Sequence, residues 1–172
     1  MLVTQNCVVA DPPEYRAPEQ TRPLLDVYGA VPTATRVLVV TKEPGSIAHV
    51  NFNVRVQSED AGEGLKAIYF LDYGTAQQSK LLGQTIPAST YNDTGRAATL
   101  SWPVNASNGC HFVTLVVAHS SSFQSSNDDR LEPTKADEDA SLLVWTVNVN
   151  PSSLAPNTLA NCPTTVAPAV GQ

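Results

Sequence analysis

Residues 48 to 57, AHVNFNVRVQ, set Ala48, Val50, Phe52, Val54 and Val56 in alternation with His49, Asn51, Asn53, Arg55 and Gln57. A period of two sustained over this length fits a β-strand with one buried and one solvated face, since helical faces recur about every 3.6 residues. The chain must therefore provide a second layer to cover Phe52 and its neighbours. Runs rich in β-branched and aromatic residues supply the material: PLLDVYGA (23–30), TRVLVVTK (35–42), LKAIYFLDY (65–73), AATLSWPV (97–104), CHFVTLVVAH (110–119) and SLLVWTVNV (141–149), with LLGQTI (81–86) as an eighth candidate. Turn-forming residues separate them and no helical stripe intervenes, which favours an all-β antiparallel two-sheet sandwich of seven to eight strands over any βαβ arrangement. Its core is expected to hold Phe52, Tyr69, Trp102, Leu115 and Trp145.

The ends read differently. Pro12, Pro13, Pro18 and Pro23 punctuate residues 1–23, where missing backbone donors and fixed φ angles suit a tail. Residues 150–172, NPSSLAPNTLANCPTTVAPAVGQ, are small, uncharged and proline-bearing, as in a strap or linker. One sandwich domain, 24–149, is expected between them.

A hydrophobic fraction of 42% in 172 residues is enough for a packed core. The net charge of −6, with only ten Lys and Arg, argues against a nucleic-acid partner or an anionic membrane surface, both of which select clustered positive charge. No apolar run approaches the roughly 20 residues needed to cross a bilayer. The chain as given reads as soluble, without a transmembrane segment, and Met1 is read as standing where an export signal was removed.

The stretch NGCHFVTLVVAHSSS (108–122) gathers a cysteine, two histidines and three terminal serines, and invites a catalytic or metal reading. Strand geometry opposes it. Cys110 and His111 point to opposite faces, so they cannot form a thiolate–imidazole pair. His111 and His119 share a face, yet eight residues of extended chain hold them about 26 Å apart, too far for one metal ion. Each is expected to mark a strand end where the ring tip meets water. There is no Gly-x-Ser-x-Gly elbow, phosphate loop or His-Glu-x-x-His pair. No catalytic residue and no cofactor are assigned, and a noncatalytic role is expected; only an encounter in space between a histidine such as His49 and a distant carboxylate would reopen the question.

The order HVNFNVRV, KAIYFLDYG, GCHFVTLVVAH and LLVWTVNV resembles strands B, C, F and G of an immunoglobulin-like sandwich, in particular the PKD-type modules of bacterial surface proteins and lipoproteins. Phe112–Val117 is similar to the Thr-Val-Thr-Leu-x-Val-like strand F of those modules. Tyr69–Gly74 takes the place of their aromatic strand C motif, without its Trp and second Asp. The resemblance covers about 100 residues and implies a noncatalytic extracytoplasmic module, secreted or held at a bacterial cell surface, lipid-anchored in one version, serving adhesion or display toward a protein or surface glycan. The alternative is a structural subunit of a larger assembly whose tails contact neighbouring protomers.

The resemblance also organises the remaining features. It places the start of strand F beside the end of strand G, which brings Cys110 near the departure of the C-terminal strap. A Cys110–Cys162 disulfide follows, with Cys7–Cys162 as the competing pair and three reduced cysteines as the alternative to both. The acids concentrate in SEDAGEG and in NDDRLEPTKADEDA, the latter holding six of the sixteen; these are the loops after strands B and F, at one pole. Glu59, Asp60, Asp128, Asp129, Asp137 and Asp139 are the candidate Ca²⁺ ligands there, although no Asp-x-Asp-x-Asp-Gly loop is present.

Overall fold

The computed structural model describes residues 21–60, 62–89, 96–124, 139–151 and 162. Eight strands run in the order β1 (Leu24–Leu25), β2 (Leu38–Val40), β3 (His49–Gln57), β4 (Leu65–Leu71), β5 (Ser79–Ile86), β6 (Arg96–Pro103), β7 (Gly109–His119) and β8 (Ser141–Val149). They form a three-stranded sheet, β1-β3-β6, and a five-stranded sheet, β2-β8-β7-β4-β5. These orders correspond to strands A-B-E and A′-G-F-C-C′ of an immunoglobulin-like sandwich. Every pairing is antiparallel except β2 with β8, which is parallel.

The alternation in β3 acts as its spacing requires. Phe52, Val54 and Val56 are buried between the sheets while Asn51, Asn53 and Arg55 face out. Its partner β6 repeats the pattern, with Ala98, Leu100 and Trp102 inward and Ala97, Thr99 and Ser101 outward. The opposing sheet contributes Leu65, Ala67, Tyr69, Val113, Leu115, Val117, Leu143, Trp145 and Val147. Phe52 sits at the centre: its ring lies 4.9 Å from that of Trp145 in an edge-on contact and within 6.5 Å of Tyr69 and Trp102. Edge-to-face packing of this kind adds to plain burial because ring edges and faces carry opposite partial charge. All five side chains assigned to the core from sequence are at most 1% exposed.

Strands β4 and β7 are buried on both faces. Ile68, Phe70, Val116 and Ala118 form a second apolar layer outside the five-stranded sheet, completed by Phe123 and Ala140 from the two ends of the β7–β8 connection. The Lys66 ammonium lies 4.6 Å above the Phe123 ring, where the face of the ring attracts a cation. This outer layer explains why LKAIYFL reads as a nearly continuous apolar run and not as an alternation.

Two expected strands shrink. PLLDVYGA pairs only at Leu24–Leu25, because Asp26 Oδ1 accepts the Gly29 N–H at 2.8 Å and turns the chain, leaving Tyr28 95% exposed. TRVLVVTK contributes only Leu38–Val40, since the chain is crossing from one sheet to the other: Val31 bonds Asn53 of β3, and seven residues on, Leu38 pairs with Val147 of β8. Residues 1–20 of the expected tail lie outside the described residues. Its last part belongs to the body: Thr21 is held by Asp60, Pro23 is buried, and the Pro23 carbonyl accepts the Ser141 hydroxyl.

Candidate functional site

The pole beyond the ends of β3 and β7 carries a buried polar cluster. The strand pairing that sets Leu65 opposite His119 turns the His119 ring inward, in the same series as Val113, Leu115 and Val117. The ring is fully buried, and this corrects the expectation that its tip meets water. Burial is tolerated because every polar atom around it finds a partner. Asp139, itself buried, accepts the His119 Nδ1–H on Oδ1; its Oδ2 takes the His119 backbone N–H at 2.9 Å and the Ser122 hydroxyl. The 3-10 turn Ser120–Ser122 brings that hydroxyl round, anchored by the Ser120 N–H on the Gly64 carbonyl at 2.9 Å.

On the other side of the ring, Nε2 lies 3.3 Å from Ser58 Oγ and 3.4 Å from Asp60 Oδ2. The Ser58 oxygen also accepts the Asp60 N–H at 3.2 Å. Asp60 Oδ2 also receives the Thr21 N–H at 2.9 Å. The cluster thus ties strand β7, the β7–β8 connection, the segment after β3 and the incoming N-terminal chain to one imidazole.

Its connectivity, hydroxyl to imidazole to carboxylate, has the order of a nucleophile, a base and an orienting acid. Two features set it apart from such a relay. The imidazole has no solvent exposure, and the Asp60 carboxylate occupies the space beside Nε2 and Ser58 Oγ, where its negative charge would oppose the oxyanion that acyl transfer generates.

The opposite pole repeats the device at lower burial. His111 Nδ1 donates to Asp72 Oδ2 at 2.8 Å, while Asp72 Oδ1 accepts the Phe112 N–H at 2.9 Å. Asp72 adopts the left-handed region, φ 52°, held there by its own N–H on the Phe112 carbonyl at 2.7 Å. His111 Nε2 lies 3.1 Å from the Ser107 carbonyl and 3.3 Å from its hydroxyl. Both histidines of β7 therefore brace loops to the strand, one at each end, while His49 stands exposed. An open groove of about 700 Å³ lies at this second pole. Lys42, Asn105, Asn108 and Asn150 line it over a floor of Pro44, Ile47 and Pro103. Its wall is fixed by the Lys42 N–H on Asn150 Oδ1 at 2.6 Å and Asn150 Nδ2 on Asn108 Oδ1 at 2.9 Å.

Among the candidate Ca²⁺ ligands, Asp128, Asp129 and Asp137 lie outside the described residues. Glu59 is exposed, Asp60 is engaged by Thr21, and both oxygens of Asp139 are occupied by His119 and Ser122. Among the described residues no group of three or more His, Cys, Asp or Glu side chains is placed to hold a metal ion. Cys110 and Cys162 are joined in a disulfide with Cα atoms 5.3 Å apart, and Cys7 lies outside the described residues. Two buried polar atoms lack a partner among the described residues: the Tyr69 hydroxyl and Arg96 Nη2. Burial pushes the Tyr69 phenol far above its ordinary range.

Comparison with known proteins brings little to this picture. No protein-family model matches the sequence, and no curated protein matches it. Among solved structures, AggA, the major subunit of aggregative adherence fimbriae type I from Escherichia coli, is 12% identical to the chain, with 78% of this chain and 100% of that one covered at a TM-score of 0.41. Among the described residues no helix is long and apolar enough to cross a membrane.

Proposed function

We propose that the chain is a noncatalytic extracytoplasmic module of the PKD-like type, held at a bacterial cell surface through its N-terminal tail and lipid-anchored there, which displays loops to a protein or glycan ligand. One observation carries the reading: the Cys110–Cys162 disulfide, whose Cys162 is fully buried against the body. Such a bond persists in oxidising compartments and is reduced in the cytoplasm. The imidazoles of β7 support a noncatalytic role, because both are spent on holding loops. Among the described residues, the acidic pole around Glu59 and Asp60 and the groove at Asn105–Asn108 are loop surfaces available for recognition.

The test is expression of the native gene followed by fractionation, with thiol alkylation before and after reduction. A cell-surface fraction in which Cys110 and Cys162 resist alkylation until reduced supports the reading. A cytoplasmic protein with both thiols free overturns it. The second reading, a subunit of a larger assembly, is favoured by one observation: among the described residues, the backbone groups of Leu142 and Val144 on the flank of β8 away from β7 meet no partner.

A further inference from the structure

Strand β8 is bonded to β7 along its whole length, Ser141–Val149, but on its other side β2 covers only Val147–Val149. The chain that would continue β2 is occupied elsewhere. Asp26 and Val31 bond backbone groups of β3, and the Pro32 carbonyl caps the Trp145 indole N–H at 2.7 Å. Among the described residues no strand pairs with this flank of Ser141–Trp145, although the Pro23 carbonyl accepts the Ser141 hydroxyl at its start. The phase of its backbone follows from one bond: the Asn150 N–H reaches the Val40 carbonyl at 2.8 Å, so the peptide before it directs the Val149 carbonyl toward β7. Backbone groups alternate sides along a strand, and the even-numbered residues therefore face the open flank. Thr146 adjoins the start of β2, which leaves the N–H and C=O of Leu142 and Val144. Among the described residues neither meets a backbone partner on this side. The side chains of these same two residues are exposed, 45% and 43%, on the outer face.

Natural sheets shield such an edge with charge, proline or a bulge. Ser141–Val149, SLLVWTVNV, has none of these. The strand is uncharged in a chain of net charge −6, so two copies can bring this edge together without like-charge repulsion between the strands themselves. Self-pairing is also complete in hydrogen-bonding terms. Two antiparallel β8 strands related by a two-fold axis at Leu143 set Leu142 opposite Val144 and Val144 opposite Leu142, each pair exchanging both backbone bonds and matching its exposed apolar side chains. We infer that β8 is a homodimerisation edge: two copies of this chain join their five-stranded sheets through Leu142 and Val144 in this register. The proposal deepens the assembly reading by naming its interface.

The experiment is light scattering on the full-length chain across a concentration series, with Leu142→Lys and Val144→Lys as edge variants and Leu82→Lys, at an exposed position on β5, as the control. The expected result is a monomer–dimer transition up to roughly millimolar concentration, shifted at least tenfold upward by either β8 variant and unmoved by Leu82→Lys. Amide exchange on the unaltered protein reads the same edge without mutation, and the Leu142 and Val144 amides are expected to gain protection as the dimer forms. A dimer indifferent to both β8 variants and without that protection overturns the edge assignment while leaving assembly in place. A chain that stays monomeric throughout overturns both.

Discussion

Gln84 Oε1 accepts the backbone N–H of Thr99 at 3.1 Å, and Gln84 Nε2 reaches the Ala97 carbonyl at 3.3 Å. A side-chain amide on β5 thus behaves as a strand residue toward β6, stitching the edge of one sheet to the edge of the other. The contrast with β8 is instructive: Gln84 bonds the backbone of β6 across the sheet edges, whereas among the described residues the backbone of Leu142 and Val144 meets no partner on the flank away from β7.

Removing that stitch leaves an N–H and a C=O of β6 to solvent. Gln84→Ala is expected to lower stability by about 1 kcal/mol, a fall in Tm of about 3 °C for a chain of this length, measured by calorimetry. Gln84→Glu keeps the acceptor for Thr99 but loses the donor to Ala97, and should fall between the two.

The His119–Asp139 pair predicts a larger effect. Asp139→Ala strips the partner from a buried ring N–H, from the His119 backbone N–H and from the Ser122 hydroxyl. Leaving such groups unpaired is expected to cost about 3 kcal/mol, whereas Asp139→Asn retains an acceptor and should cost less. Denaturant unfolding of the two variants distinguishes them. Equal losses would show that the carboxylate is not what the cluster depends on.

The Tyr69 hydroxyl, inside an aromatic core, has no partner among the described residues, so Tyr69→Phe is expected to be neutral or stabilising by up to about 1 kcal/mol. The same burial has a pH consequence. The folded phenol keeps a proton that the unfolded chain releases near pH 10, so stability from this residue is fully present below that pH and is lost progressively as the pH climbs from there through the raised folded range. Absorbance titration should show one tyrosine of the five failing to ionise until the fold opens, and Tyr69→Phe should abolish that step.

The disulfide closes 52 residues of chain, for which loop-closure entropy predicts about 4 kcal/mol of stabilisation. Chemical unfolding with and without reductant measures it. Replacing both Cys110 and Cys162 by Ser should reproduce the reduced value, and a negligible difference would locate the constraint elsewhere.

Much of the architecture was legible because β-strand physics is local. Phe52, Val54 and Val56 declare their inward face through spacing alone, and the aromatic core follows from laying such faces together. The losses have equally physical causes. PLLDVYGA has strand composition, but the Asp26 carboxylate competes for the backbone and bends it. The His119 cluster was misjudged because its partner, Asp139, lies 20 residues away across a loop, a separation that composition does not report. A signal did exist: His119 falls in the odd-numbered series of Val113, Leu115 and Val117, all buried, so parity placed its ring inside even though its polarity suggested water. The open flank of β8 is visible only once it is known that β2 ends the sheet after three residues.

The bond between Cys110 and Cys162 alters the path of mechanical load. Tension applied to the chain beyond Cys162 is delivered by the covalent link to Cys110, the second residue of β7, a strand bonded to β8 over Gly109–Val117 and to β4 over Val113–His119. A strand gripped on both flanks must shear many hydrogen bonds together before it moves. Reduction would reroute the same pull through Pro151 to the end of β8, so the covalent link decides which of the two strands bears the load first.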